Sequence, residues 1–227
     1  MHKLFEEQEH QHTSYSLYYS VFASEFNLGF GHPSTDVCET CARFKLNMNA
    51  QNMTEIEKQT ETALFILHRR RARVFYDMMN EVQNSTTVCF DMMKNLVLPK
   101  TPISQAYYSR QLYLYVFGVI VHRGKERPQL NDDIHLYVWQ ENQNKKDSNM
   151  ISSALEDCFR RRIHDLVKES GHLRLFSDSC FGQNKNMNLV SMLMSLKQLF
   201  SGLTVNYNFP IGGHSYLTAD RVFGRIE

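Results

Sequence analysis

Two short apolar segments, TTVCFD at residues 86–91 and HLRLFSD at residues 172–178, decide the fold expected of this chain. Each segment is followed by polar, turn-forming sequence, and each closes on an aspartate, Asp91 in the first and Asp178 in the second. A carboxylate at the end of a packed strand is held by that strand and remains open to solvent. We therefore predict two buried strands that carry acidic groups at their carboxyl ends.

The rest of the chain predicts a mixed sheet covered by helices. Further strands are expected at 111–121, 134–140 and 203–209, with helices at about 149–169 and 187–200. Three strands joined by hairpins, followed by two strands reached through helices, give the ribonuclease-H-like order of elements. The predicted fold class is therefore α/β, a ribonuclease-H-like five-stranded mixed sheet flanked by helices.

A helical N-terminal region is expected over residues 1–84, ahead of the core at 85–227. Aromatic residues follow a helical spacing between residues 13 and 27. Thr54 and Glu57 form the capping-box pattern that begins a longer helix. The strand-rich character begins only after this helix, which sets the predicted boundary.

The composition is that of an ordinary globular protein, with 42% hydrophobic and 22% charged residues in a chain of 227. No apolar stretch approaches the roughly 20 residues of a membrane helix, so no membrane partner is expected. Five cysteines, an odd number, argue against a disulfide framework and favour a reducing, intracellular compartment. The net charge of +1 lacks the basic excess usual in domains that bind nucleic acid on their own.

Basic residues are concentrated in two runs, HRRRAR at residues 68–73 and RRR at residues 160–162. Runs of this kind are commonly solvated helix faces. If they face the same way as the acidic residues, they become contacts for nucleic-acid phosphates. Both interpretations are open from the sequence.

A third acidic position is expected near the carboxyl end, where Asp220 and Glu227 are seven residues apart in a helix beginning near Thr218. With Asp91 and Asp178 they form a candidate site for two divalent ions about 3.5–4 Å apart, which activate the attacking oxygen and stabilise the leaving one. Mg²⁺ or Mn²⁺ suits such carboxylates. The hypothesis requires Asp91 and Asp178 to lie within about 10 Å of each other. The last helix is expected to be truncated at Glu227.

Each of these residues also has a structural alternative. An aspartate after a strand is commonly a turn former or a helix cap. His214 is a candidate general acid or base, a phosphate donor or a hydrogen-bonding residue of the core. Asn184 and Asn186 either orient Asp178 or cap the helix that follows them.

The pair Cys38 and Cys41 has the spacing at which two thiolates can bind one Zn²⁺. A single pair of this kind supplies half of a structural zinc site, so histidines must complete it. The candidates are His10, His12, His32 and His68, of which His68 lies in the long helix. Two ordinary thiols are the main alternative, and a redox role is weaker still, because no thioredoxin-like strand precedes the pair.

Several blocks of the sequence resemble eukaryotic proteins derived from DNA transposons. The blocks are DSCFGQNKN at 178–186, GHSYLTADRVFGRIE at 213–227, DVCETC at 36–41 and HLYVW at 135–139. They are spread over most of the chain. Such proteins are similar to the ribonuclease-H-like transposases that use an acidic triad.

The resemblance implies divalent-metal-dependent cleavage or strand transfer of DNA, in the nucleus, without a small-molecule cofactor. It implies Asp91 as the first acid, Asp178 as the second, and either Asp220 or Glu227 as the third. DNA is the expected partner, and a second copy of the chain, in a homo-oligomer, is a further candidate partner.

Two alternatives stand beside this expectation. The first is a catalytically inactive, domesticated transposase fragment that serves as a DNA- or protein-binding scaffold, which the net charge of +1 and the expected truncation favour. The second is a 3'-5' exonuclease of similar fold, since Tyr216 and Asp220 have the spacing of that class. Its first strand should carry Asp-x-Glu, whereas this chain has Asp91-Met92-Met93.

Overall fold

The computed structural model describes residues 2–9, 12–26, 37–49, 53–81, 84–100, 102–103, 105, 108–124 and 130–226. The chain divides into two compact units, Met1–Asp36 and Val37–Glu227. The first contains helices α1 (His2–Glu9) and α2 (Tyr15–Glu25). Ser14 caps α2 by accepting a hydrogen bond from the backbone N–H of Leu17, and the rings of Tyr18, Phe22 and Phe26 follow one another along it.

The second unit is built on a mixed sheet. Its strands are β1 (Thr86–Met92), β2 (Leu96–Leu98), β3 (Leu112–Val121), β4 (Ile134–Gln140), β5 (His172–Phe176) and β6 (Thr204–Asn208). The described strands number six, one more than the five predicted. The additional strand, β2, has three residues, which is too short to leave a sequence pattern.

The two edges of β3 define the order of the sheet. Gly118 is paired with Asp91 of β1 on one edge and with Leu136 of β4 on the other. Leu114 is likewise paired with Leu96 of β2 and with Gln140 of β4, so β2 lies beyond the end of β1 on the same edge. The full strands therefore run β4-β3-β1-β5-β6, with β1 antiparallel to β3 and parallel to β5.

Helices cover both faces of this sheet. They are α3 (Glu39–Met48), α4 (Glu55–Asn80), α5 (Ser148–Asp157), α6 (His164–Ser170), α7 (Met187–Leu199) and α8 (Thr218–Phe223). One hydrophobic core lies between the sheet and α5, α6 and α7, and a smaller core lies between the opposite face and α4 and α8. The chain is thus an α/β protein with a mixed six-stranded sheet flanked by helices.

The single helix predicted at about 149–169 is interrupted. A π-helical segment, Cys158–Arg162, separates α5 from α6. Its side chains Cys158 and Phe159 are fully buried in the larger core. The wider turn keeps both side chains on the sheet side, a detail that a 3.6-residue period does not encode.

A buried arginine attaches α4 to the sheet. Arg174 of β5 is 8% exposed and donates hydrogen bonds to the carbonyls of Met78 and Glu81 at the end of α4. These carbonyls belong to the last turn of the helix, where a cation is favourable because of the helix dipole. The guanidinium also lies 5.6 Å from the ring centre of Phe176. One side chain therefore satisfies the helix terminus and fixes its distance from β5.

Replacing this arginine should loosen the contact between helix and sheet. Arg174→Met keeps a long apolar stem but removes the donors, so we expect a loss of about 2–3 kcal/mol in the free energy of unfolding. Urea denaturation followed by circular dichroism measures it. Arg160→Met removes a half-exposed arginine paired with Glu156 and should cost less than about 1 kcal/mol. Equal midpoints for the two variants would contradict the role given to Arg174.

Candidate active site and candidate metal centre

The parallel pairing of β1 with β5 brings two acids side by side. The last paired residues of β1 and β5 are Cys89 and Phe176, and Asp91 and Asp178 each follow that pair by two residues. Neighbouring strands are about 4.8 Å apart, and the charge of Asp178 raises the pKa of Asp91, so the two carboxylates lie near one another. The structure thus brings together the first two acids expected from the sequence.

Both carboxylates belong to the sheet face covered by α4 and α8. Side chains alternate between faces along a strand, so Asp91 shares the face of Cys89, and Asp178 shares the face of Phe176. Cys89 and Phe176 belong to the smaller core with α4 and α8. Each carboxylate therefore lies two residues along the chain from a side chain that is packed in that core.

Asp91 is held in a poorly solvated position. Burial raises the pKa of its carboxyl to about 7, and the charge of Asp178 adds to the increase, with a smaller contribution from Asp220. One hydrogen bond works against this, since the backbone N–H of Met92 donates to Asp91 Oδ1 at 2.7 Å. A carboxyl group in this state readily exchanges its proton for a divalent cation.

Asp178 is oriented by two donors on one of its oxygens. The backbone N–H of Cys180 donates to Oδ1 at 3.1 Å, and the side-chain amide of Asn184 donates to the same oxygen. Asn184 is fully buried, and its backbone carbonyl accepts a hydrogen bond from the hydroxyl of Tyr207 at 2.8 Å. Asn184 therefore orients the acid, whereas Asn186 caps α7. Both donors contact Oδ1 rather than Oδ2.

Asp220 lies at the third position of α8 and also caps it. Its Oδ2 accepts from the backbone N–H of Leu217 at 2.6 Å. Its charge raises the pKa of Asp91, which indicates that the two carboxylates are near one another. The helix predicted to carry both late acids ends at Phe223, so that prediction is wrong, and Glu227 lies outside the described residues.

The orientation of α8 depends on a glycine beneath it. A methyl group at Gly118 would lie 2.9 Å from the ring of Phe223. Gly118 is also the residue of β3 that faces Asp91 across the strand pair. The absence of a side chain at this position lets α8 approach the strand that carries the first acid.

Sequence reasoning missed a cation beside the acids. Lys146, between β4 and α5, donates to the side-chain oxygen of Asn95 at 2.9 Å. Burial lowers the pKa of its ammonium, and the charges of Asp91 and Asp178 oppose that decrease. A single lysine in a loop carries no periodic signal, so only the folded chain reveals its proximity to the two carboxylates.

The raised pKa of Asp91 gives a pH dependence with a defined sign. The folded chain holds the proton up to pH about 7, whereas an ordinary carboxyl releases it near 3.8, so stability falls as pH rises between these values. Asp91→Asn should therefore be more stable than the parent at pH 8, by several degrees in Tm, and should show a flatter profile from pH 4 to 7.

Differential scanning fluorimetry from pH 4 to 8 without divalent ions measures this effect. Asp132→Asn, at an exposed aspartate of a 3-10 turn, serves as the control and should leave the profile unchanged. A parent profile that rises from pH 4 to 8, with Asp91→Asn matching it, would refute the assignment.

A second cluster combines two cysteines and two histidines. The ligand atoms of Cys38, Cys41, His68 and His214 all lie within 4.8 Å of one another. Cys38 Sγ is 3.2 Å from His68 Nε2, Cys41 Sγ is 3.4 Å from His214 Nε2, and the two Nε2 atoms are 3.0 Å apart. Two thiols and two imidazoles at this spacing form a cluster that could hold a metal ion such as zinc.

The geometry fits a tetrahedral ion. Zn–S and Zn–N bonds of about 2.3 and 2.0–2.1 Å require ligand atoms roughly 3.3–3.8 Å apart. The three distances given above, 3.0, 3.2 and 3.4 Å, lie at or slightly below this range. Without a cation, burial and the adjacent Cys38 raise the pKa of the Cys41 thiol. A bound Zn²⁺ reverses this effect, since it stabilises thiolates.

Three separate elements supply these ligands. Cys38 precedes α3 and Cys41 lies in its first turn, His68 belongs to α4, and His214 follows β6. Gly213 makes the last approach possible, since it has φ +76° and a methyl group there would lie 2.4 Å from Cys38 Cα. A side chain at position 213 would separate the loop from the cysteines.

Of the candidate histidines, the structure places His68 in the cluster. His214, predicted as an acid–base or core residue, is its fourth member. His12 contacts Glu6 within the first unit, whereas His10 and His32 lie outside the described residues. The sequence Gly212-Gly213-His214 is a signal that could have indicated the role of His214, because paired glycines permit a close backbone approach.

Metal analysis of the purified chain should find one zinc per chain. Cys41→Ser removes a thiolate, so we expect it to lose the metal and to lower Tm. Cys180→Ser removes a cysteine outside the cluster and should retain one zinc. Cobalt substitution provides a spectroscopic measure of the same site. Equal zinc content in the two variants would exclude the cluster as the binding site.

Residues 104–227, more than half of the chain, match the family described as domain of unknown function DUF7869. The chain belongs to this family. The DUF7869 match includes Asp178, Asp220 and His214, whereas Asp91, Cys38, Cys41 and His68 precede it. No curated protein and no solved structure matches the chain. Among the described residues, every helix is too short or too polar to cross a membrane.

Proposed function

We propose that this DUF7869 chain is a DNA-transposon-derived core of the ribonuclease-H-like class, which cleaves or transfers DNA strands with Mg²⁺ or Mn²⁺. The observation that carries the proposal is the proximity of Asp91 and Asp178, which each follow the last paired residues of two adjacent parallel strands by two positions. The strand order β4-β3-β1-β5-β6 supports it, because this is the order expected of that class. A nuclear location follows from action on DNA and forms part of the same proposal.

In the proposed site, Asp91 and Asp178 would hold the metal ions, with Asp220 contributing from α8. Bound there, the ions would supply activation of the attacking oxygen and stabilisation of the leaving one. The side chain of Asn184 and the N–H of Cys180 both donate to Asp178 Oδ1. These two hydrogen bonds fix the orientation of the carboxylate. Such support is what keeps a metal ligand in a productive orientation.

Lys146 adds a positive charge next to these acids. Its side chain is half-buried and held by Asn95 at 2.9 Å. In the proposed reaction it contacts a phosphate oxygen next to the cleaved bond, where a cation stabilises the developing negative charge. The cysteine–histidine cluster has a structural role, in which Zn²⁺ holds α3, α4 and the loop before α8 together.

A cleavage assay on supercoiled plasmid DNA tests the catalytic proposal. With Mn²⁺ or Mg²⁺ the parent should nick the plasmid, and Asp91→Asn or Asp178→Asn should lower the rate by about 100-fold or more, since even substitutions behind a metal ligand cost about 10–100-fold. Asp165→Asn, at a 90% exposed carboxylate paired with His164, should leave the rate unchanged.

The inactive scaffold is the second candidate, and one observation favours it. Asp220 already caps its own helix through the N–H of Leu217, which engages one oxygen of the third acid. Isothermal titration with Mn²⁺ separates the two candidates. Binding that disappears in Asp178→Asn supports the catalytic site, whereas an absence of binding in the zinc-loaded parent supports the scaffold.

A further inference from the structure

The middle of α4 exposes a row of arginines. Arg69, Arg70 and Arg73 are exposed, and none forms an ion pair with a described residue. In contrast, Arg160 and Arg161 of the second basic run are paired with Glu156 and Asp157. Among the described residues, nothing forms an ion pair with these three arginines of the first run.

These arginines line a groove rather than a convex face. The groove has a volume of about 540 Å³, and its lining includes Arg69, Arg70, Arg73, Tyr76 and His214. Among these described residues there is no carboxylate. A concave surface with one sign of charge concentrates the electrostatic field and attracts the opposite charge.

Helical spacing explains how α4 serves two sites at once. His68, Ala72 and Phe75 face the metal cluster and the smaller core. Arg69, Arg73 and the adjacent Tyr76 are each one residue further along, so they occupy the neighbouring stripe of the helix. The groove is therefore fixed in place by the same packing that buries the helix.

Hydrogen bonds connect one end of the groove to the acidic site. Tyr76 donates to the carbonyl of His214 at 2.8 Å and accepts from the N–H of Tyr216 at 3.2 Å. The next N–H along the chain, that of Leu217, is bonded to Asp220. The backbone N–H groups of Tyr216 and Leu217 thus contact a groove residue and the third acid, respectively. A polymer bound in the groove can therefore extend to the acidic site.

We propose that this groove binds the phosphodiester backbone of duplex DNA, next to the bond that is cleaved at the site of Asp91 and Asp178. The inference rests on the proposed function and adds the surface that holds the substrate. Arginine guanidinium groups suit phosphate oxygens because they can donate two parallel hydrogen bonds. Three such arginines also give the groove a local positive charge, although the net charge of the whole chain is only +1.

The test measures DNA binding separately from cleavage. The zinc-loaded full chain is titrated into a fluorescein-labelled 20-base-pair duplex without Mg²⁺ or Mn²⁺, at several NaCl concentrations. The variant carries Arg69→Gln, Arg70→Gln and Arg73→Gln, and the matched control carries Arg160→Gln, Arg161→Gln and Arg162→Gln. Both sets remove three positive charges, and zinc content and circular dichroism verify that each variant is folded.

We expect the groove variant to bind about 100-fold more weakly at 0.1 M salt and to flatten the slope of log K against log[NaCl] by about 2.7, or 0.9 for each phosphate contact. The control should stay within about threefold of the parent. A variant with lysine at positions 69, 70 and 73 should recover most of the affinity, because the charges return.

Three results would overturn the proposal: no binding to the duplex at low salt, equal losses in the two glutamine variants, or displacement of the duplex by polyglutamate at an equal charge concentration. The last would assign the groove to acidic protein segments. Groove-dependent binding without plasmid nicking would support the groove and contradict the catalytic site. If the groove variant nicked plasmid DNA as fast as the parent, the result would support the catalytic site and contradict the groove.

Discussion

The parallel pairing of β1 with β5 is the constraint on which the rest of the second unit depends. Side chains alternate along each strand, so a slip of one residue would move Asp91 and Cys89 to the face covered by α5, α6 and α7. The register also places Cys89 and Phe176 under α4 and α8, which sets where α8 brings Asp220. Core packing and the acidic site are therefore two results of one strand alignment.

The metal cluster adds a second fixed point on the same face. Its contribution comes from backbone proximity as much as from the ligands, because Gly213 lies directly against Cys38. The loop that begins there continues through Tyr216 and Leu217, which contact Tyr76 and Asp220. A structural ion at the cluster would thus hold the segment leading into α8, although it takes no part in the proposed chemistry.

Local sequence patterns predicted the helices and strands well, but they did not predict which of these elements contact one another. Strands β1 and β5, with Asp91 and Asp178 at their ends, follow from short apolar runs, and the capping box of α4 follows from Thr54 and Glu57. Lys146 and the metal-cluster role of His214 were missed because each reaches its partners through a loop. Nothing periodic marks such residues, and Cys41 and His214 are 173 positions apart.

The long span of the metal cluster has a consequence for how the protein is made. During synthesis Cys38, Cys41 and His68 emerge early, but the fourth ligand follows only after the whole sheet has been translated. Until then a captured ion has three protein ligands and an open position. Ligation by His214 would convert a labile complex into a cross-link across most of the unit, which would restrict the unfolded chain as a long-range disulfide does. Tight retention of an ion at this cluster would therefore require the whole sheet to have been made and folded.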